Sequence, residues 1–136
     1  MKILGLEHVG IAVESDEKSR AVWETLLGLT ASGKETVEGQ GVATTIYPVG
    51  GSKLETLNSI KPDSPVGRFL KKSGPGIHHL CFEVDDINSA IKELKGKGLR
   101  VIYENPQTGV EGFVVTFLHP KDTGGVLVEL AQKMQG

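Results

Sequence analysis

The segment GIHHLCFEVDD, residues 76–86, has a counterpart near the start of the chain, GLEHVGIAVES, residues 5–15. Each segment begins with glycine and a large aliphatic residue, reaches a histidine (His8 or His79) and has a valine five positions after it. Apolar side chains alternate after each histidine, which predicts a β-strand with one apolar face and one face that carries the histidine. We call the second face the histidine face. The repetition predicts two similar halves.

A helix and three further strands are expected after this strand in each half. Residues Ile87, Ala90, Ile91 and Leu94 recur at helical spacing in the second half, and Gly98 is placed to end that helix. In the first half the helix is expected from Ser15 or Asp16 to Gly28. The further strands are expected near residues 29–36, 42–49, 52–58, 99–103, 113–118 and 125–131.

The sequence therefore predicts an α+β fold in which two tandem βαβββ modules form one cupped mixed sheet. Module 1 is expected over about residues 1–58, a connecting segment over about 59–75 and module 2 over about 76–136. Neither module is large enough to bury both faces of its own sheet, so we expect a single domain over residues 1–136.

Composition excludes several classes of partner. The net charge of −2 gives no excess of positive charge for nucleic acid or an anionic membrane. No apolar run approaches the roughly 18 residues that span a bilayer, and the first residues lack the apolar core of a signal peptide. The single cysteine, Cys81, excludes an internal disulfide. We expect a cytoplasmic protein in which Cys81 is a small buried residue.

Two glutamates lie inside predicted strands, Glu129 in GVLVELAQ and Glu55 in KLETL. A carboxylate between apolar neighbours needs a reason, because burying an unpaired charge is expensive. Strand alternation places both glutamates on the histidine face with His8 and His79. His78 is expected to point to the opposite face.

Two imidazoles and two carboxylates on one concave face predict a site for a divalent metal. This donor set leaves coordination positions open, as a Lewis-acid site needs. It has too few oxygens for calcium and no thiolate for structural zinc, so cobalt, manganese, nickel and zinc remain open. Each histidine or glutamate alone is more simply an ordinary strand residue. Their recurrence at matched positions favours the metal site.

The chain resembles the vicinal oxygen chelate (glyoxalase/bleomycin resistance) superfamily over essentially its whole length. Within it, the segments DSPVGRFLKKSGPGIHHLCFEVDDI and LHPKDTGGVLVEL are similar to those of the methylmalonyl-CoA epimerases. The resemblance implies a homodimer and an acyl-CoA substrate, epimerised by α-proton abstraction and return through a metal-chelated enolate. It also implies four metal ligands: His8, Glu55, His79 and Glu129.

The residues that would transfer protons match those of the similar epimerases only in part. Some epimerases carry a glutamate in the third strand, but here the matching stretch GVATTIYP has Ala43 and Thr44. Glu129 is the first candidate for proton transfer and Glu55 the candidate for the opposite face of the substrate. A relay through a water from Thr44 or Thr45 is a weaker option. The cations that could reach the coenzyme A phosphates are Arg68, Lys71, Lys72 and Lys121.

Three other functions use related folds. A glyoxalase I-type isomerase would use the same four ligand types, and only the segments HPKDTGG and SPVGRFLKK argue against it. A ligand-sequestering protein of the bleomycin-resistance kind would not need all four ligands. An extradiol dioxygenase uses two histidines and one glutamate, which would leave Glu55 as an uncompensated charge.

Overall fold

The first half of the chain has the predicted βαβββ order, in a computed structural model that describes residues 1–134. Its elements are β1 (Ile3–Val13), α1 (Asp16–Arg20, continued by the π-helical residues Ala21–Leu26), β2 (Gly33–Val37), β3 (Val42–Val49) and β4 (Ser52–Ser59). The strands of this half lie in the order β2-β3-β4-β1. The β4–β1 pair is parallel and the other pairs are antiparallel. A connecting helix, α2 (Pro65–Ser73), follows.

The second half repeats this order with shorter outer elements. Its elements are β5 (Gly76–Val84), α3 (Ile87–Gly96), β6 (Gln107–Thr108), β7 (Phe113–Leu118) and β8 (Val128–Lys133). The strand order is β5-β8-β7-β6, again with one parallel pair, β5–β8, and two antiparallel pairs. Both halves are therefore mixed sheets built in the same way, as the duplicated sequence predicts.

The chain forms two compact units, residues 8–78 and residues 1–7 together with those from 79 onwards. The prediction of a single domain over residues 1–136, with a module limit near 58 and another near 76, stays a prediction. Among residues 1–134, no helix is long and apolar enough to cross a membrane.

Side-chain caps fix where the helices begin, and the cap of α1 is Ser15, one of the two predicted starts. The Ser15 side chain accepts a hydrogen bond from the Lys18 N–H, and the Asp86 side chain accepts one from the Ser89 N–H. The third cap is Ser64, which precedes a proline in the first turn of α2.

The apolar face of the second half packs under α3. The buried residues of this cluster are Val84, Ile87, Ala90, Ile91, Leu94, Leu118 and Leu130. Cys81 lies on the histidine face and is completely buried among Phe113, Val115 and Ala131. Its prediction as a small core residue is confirmed.

The prediction of a strand near residues 99–103 is wrong. Only Val101 pairs there, in an isolated bridge with Leu118. The backbone groups of Tyr103 bind the side chain of Thr116, which accepts from the Tyr103 N–H at 3.1 Å and donates to the Tyr103 carbonyl at 2.7 Å. The Thr116 side chain thus takes the place of the backbone hydrogen bonds that a neighbouring strand would make. The outer strand of this half is instead the two-residue β6, further along the chain.

We expect Thr116→Val to destabilise the protein by about 1–3 kcal/mol, because two backbone groups of Tyr103 would lose their partner beside a fully buried side chain. Urea unfolding followed by circular dichroism measures the change. Thr108→Val, an exposed substitution on β6, is the control and is expected to cost less than about 0.5 kcal/mol. Equal midpoints for the two variants would contradict the role given to Thr116.

Candidate functional site

His8 and Glu55 form a buried pair in the first half. In the parallel β1–β4 ladder Gly10 lies opposite Glu55, so His8, two residues earlier on β1, shares the face of Glu55. The His8 Nδ1 is 3.2 Å from a Glu55 carboxylate oxygen. His8 is 6% exposed and Glu55 2% exposed. The structure thus brings together the two candidates from this half.

His79 and Glu129 form the corresponding pair in the second half. Cys81 lies opposite Glu129 in the parallel β5–β8 ladder, and His79 again precedes it by two residues. The His79 Nε2 is 2.9 Å from a Glu129 carboxylate oxygen, and both residues are buried. The ring of Phe117 packs edge to face against the His79 imidazole, with the ring centroids 5.9 Å apart. Each half therefore holds one histidine and one glutamate at matching register positions.

The neighbouring histidine, His78, has different surroundings. It is half-buried, and its ring packs edge to face against Phe69 of α2 with the ring centroids 4.9 Å apart. Alternation along β5 separates it from the face of His79. The histidine beside Glu129 is therefore His79, as the sequence predicts.

The donor set of these pairs fits a divalent transition metal. Imidazole nitrogen and carboxylate oxygen are ligands that such ions accept, and a buried carboxylate costs free energy unless a cation or proton donor compensates it. Each glutamate has an imidazole within 3.2 Å as its neighbour. Both carboxylates are thus available as ligands on the histidine face of their own half.

Thr44 and Glu35 lie on the histidine face of the first half. Thr44 lies opposite Leu57, two residues beyond Glu55 on β4, and Glu35 of β2 lies opposite Thr44. Glu35 is not among the residues that the sequence predicts for this face. The alternation in KETV, with Glu35 and Val37 on one side, is the signal that could have found it.

The four cations considered for the coenzyme A phosphates are on the surface. Arg68, Lys71 and Lys72 belong to α2, and Lys121 lies in the turn before β8. Arg68 also donates to the Asp63 carbonyl, which holds its guanidinium close to the start of α2.

The family model and the similar proteins of known name indicate the same family for this chain. The family model of the glyoxalase/bleomycin resistance protein/dioxygenase superfamily matches residues 7–117. The mitochondrial methylmalonyl-CoA epimerase of Homo sapiens is 44% identical over 128 residues, which cover 93% of this chain and 73% of that protein.

Solved structures with similar folds include the methylmalonyl-CoA epimerase of Mycobacterium tuberculosis, with a TM-score of 0.93, 31% identity and coverage of 98% of this chain and 90% of that one. Another is a methylmalonyl-CoA epimerase in complex with methylmalonyl-CoA and NH4+, with a TM-score of 0.94, 33% identity and coverage of 97% and 96%. The predicted fold class, paired βαβββ modules with a mixed sheet, is confirmed.

Proposed function

Because the chain belongs to the methylmalonyl-CoA epimerase family of the glyoxalase/bleomycin resistance protein/dioxygenase superfamily, we propose that it is an isomerase that interconverts the two configurations of methylmalonyl-CoA. The observation that carries this proposal is the pair of buried His–Glu couples, one at the same register position in each half. The substrate is supported by the names of its relatives and by the complex with methylmalonyl-CoA.

We further propose that both couples bind one divalent metal ion, with His8, Glu55, His79 and Glu129 as its ligands. Support comes from their burial, their donor atoms and the duplicated spacing. An ion held by these residues would supply Lewis-acid chemistry, which would make the α-proton of the thioester more acidic. Cobalt, manganese, nickel and zinc all suit this donor set.

The difficult step is the removal of a weakly acidic proton beside a thioester. A carboxylate has to accept that proton on one face of the α-carbon, and an acid has to return one on the other. We propose that Glu129 transfers the proton on one face and that Glu55, from the other half, serves the opposite face. The two residues occupy corresponding strands, β8 and β4.

We also propose a homodimer in the cytoplasm. Three apolar residues at the end of the first helix support an interface, since Val22, Leu26 and Leu27 are exposed and Leu26 has 76% of its surface accessible. Leu27, at 62% exposed, lies on this surface and not in the core. The single cysteine, which is buried and in no disulfide, is consistent with a reducing compartment.

Proton NMR of methylmalonyl-CoA in D2O tests the proposed reaction. Metal-loaded protein is expected to replace the α-proton of the substrate with deuterium, and chelator-treated protein is expected to lose this exchange. The methyl signal changes from a doublet to a singlet as deuterium enters, so the rate is measured directly.

Absence of exchange with metal-loaded, folded protein would reject the epimerase. The same sample would then be given the hemithioacetal of glutathione, the substrate class of a glyoxalase I-type isomerase. Exchange that persists without metal would reject the metal-dependent mechanism while retaining the epimerase.

A further inference from the structure

Phe117 borders both members of the His79–Glu129 couple. Its ring packs against the His79 imidazole at an interplanar angle of 82°. Phe117 also lies directly opposite Glu129 in the antiparallel β7–β8 ladder, at the distance at which cross-strand side chains interact. A single half-buried aromatic side chain is thus the neighbour of the imidazole and of the carboxylate.

A second aromatic side chain, Tyr103, packs against Phe117 from the irregular segment before β6. The two rings lie edge to face at 70°, with the centroids 6.2 Å apart. The backbone of this segment follows β7, since the Ile102 N–H donates to the Phe117 carbonyl at 2.8 Å. The Thr116 hydroxyl binds both backbone groups of Tyr103. Thr116 therefore fixes the position from which the Tyr103 ring contacts Phe117.

The sheet itself does not require an aromatic residue at position 117. In the first half Ile46 lies opposite Glu55 in the β3–β4 ladder, which is the register position that corresponds to Phe117. Ile46 is 2% exposed, so an aliphatic side chain fills this position. Packing of the sheet alone therefore does not explain the ring beside His79.

The orientation of the imidazole is what such a ring can determine. The second side-chain torsion of histidine is broad, so the backbone of β5 does not by itself fix the plane of the ring. A metal ligand has to present one ring nitrogen in a defined direction, and neighbouring groups usually hold it there. Edge-to-face packing has a preferred distance and angle, and the contact between Phe117 and His79 has both.

We propose that Phe117 is a positioning residue, which holds the plane of the His79 imidazole for metal binding, and that Tyr103, anchored by Thr116, holds Phe117 in place. This inference rests on the metal-ligand role proposed for His79 and deepens it. Phe117 acts on the reaction only through His79. The segment around Tyr103, which does not form the expected strand, thus contributes to the site.

Cobalt binding to the whole protein tests this role without any substrate. Phe117→Leu keeps an apolar side chain but removes the ring, so the affinity for Co²⁺ should fall about tenfold, the lower end of the effect of residues behind metal ligands. Competition with a chelator measures this affinity. The visible absorption of the bound cobalt should also change, because it reports the geometry of the ligands. Phe117→Tyr keeps the ring and should retain the affinity and the spectrum of wild type.

A double-mutant cycle with Tyr103 tests the second contact. Tyr103→Leu should weaken cobalt binding less than Phe117→Leu does. It should have no further effect in the Phe117→Leu background, because Tyr103 acts through that ring.

Phe82→Leu is the matched control. Phe82 is another half-buried phenylalanine, which packs against the α3 cluster. Alternation along β5 places it on the opposite face from His79. Phe82→Leu removes the same atoms as Phe117→Leu and should bind cobalt as wild type does. Urea midpoints are measured for every variant, and those of the two leucine variants should fall to a similar extent.

Wild-type affinity in Phe117→Leu would overturn the proposal. An equal loss of affinity in Phe82→Leu would also overturn it, since the loss would then follow from lower stability. The same holds if Phe117→Tyr loses as much affinity as Phe117→Leu. Additive losses in the double variant would remove Tyr103 from the role. Wild-type protein that binds no cobalt would instead reject the proposed metal site on which this inference depends.

Discussion

Glu129→Gln is expected to lower α-proton exchange by about 10²–10⁴-fold, the usual contribution of a general acid or base. The amide keeps the size of the side chain and an oxygen that can remain a metal ligand, but it cannot accept the α-proton. Metal content should therefore stay close to that of wild type while exchange is lost. Deuterium entry by NMR and elemental analysis of the purified variant measure the two quantities.

Glu93→Gln is the matched control for this variant. Glu93 is on α3, where it pairs with the amino terminus and Lys97 at the surface. The rate of α-proton exchange by Glu93→Gln should equal that of wild type. Full activity of Glu129→Gln would remove Glu129 from the chemistry, and loss of the metal together with activity would leave it as a ligand only.

Metal binding is expected to stabilise the protein strongly if the four proposed ligands are correct. An ion at 100 times its dissociation constant adds about 2.7 kcal/mol to the free energy of unfolding, which corresponds to a rise of roughly 10 °C in the melting temperature. His79→Ala should abolish this rise and weaken metal binding by more than about 100-fold, because even residues behind the ligands contribute up to that amount.

His78→Ala is the control for this experiment, one residue away on the same strand. The neighbouring imidazole packs against Phe69 and lies on the opposite face from His79, so His78→Ala should keep both the metal and its stabilising effect. Thermal unfolding with and without added metal separates the two variants. If His78→Ala behaves as His79→Ala, the assignment of the ligand to position 79 is wrong.

The duplicated spacing was sufficient to predict the two buried couples. Strand alternation has a period of two, so His8 and Glu55 could be assigned to one face without knowledge of the turns between them. The same reasoning separated His79 from His78, and the observed contacts agree with it. A sequence therefore specifies most directly which face of a strand each side chain of a site lies on.

Register across strands is harder to predict, and the missed features depend on it. Glu35 could be related to Thr44 only once the β2–β3 pairing was known, because the loop that joins these strands sets that pairing. The segment near Val101 reads as a strand from its apolar residues, but the Thr116 side chain takes the backbone groups that a partner strand would need. Neither the β2–β3 pairing nor the hydrogen bonds between Thr116 and Tyr103 can be read from a short stretch of sequence.

The outer strands of the two halves also bear on how the protein avoids unwanted assembly. An unpaired strand edge offers free backbone groups on which another chain can add a strand. In the second half the outer strand β6 is only two residues long and follows Pro106, which has no N–H to offer. In the first half β2 carries Lys34 and Glu35, whose charges oppose a growing intermolecular sheet. Both edges are thus poor templates for aggregation.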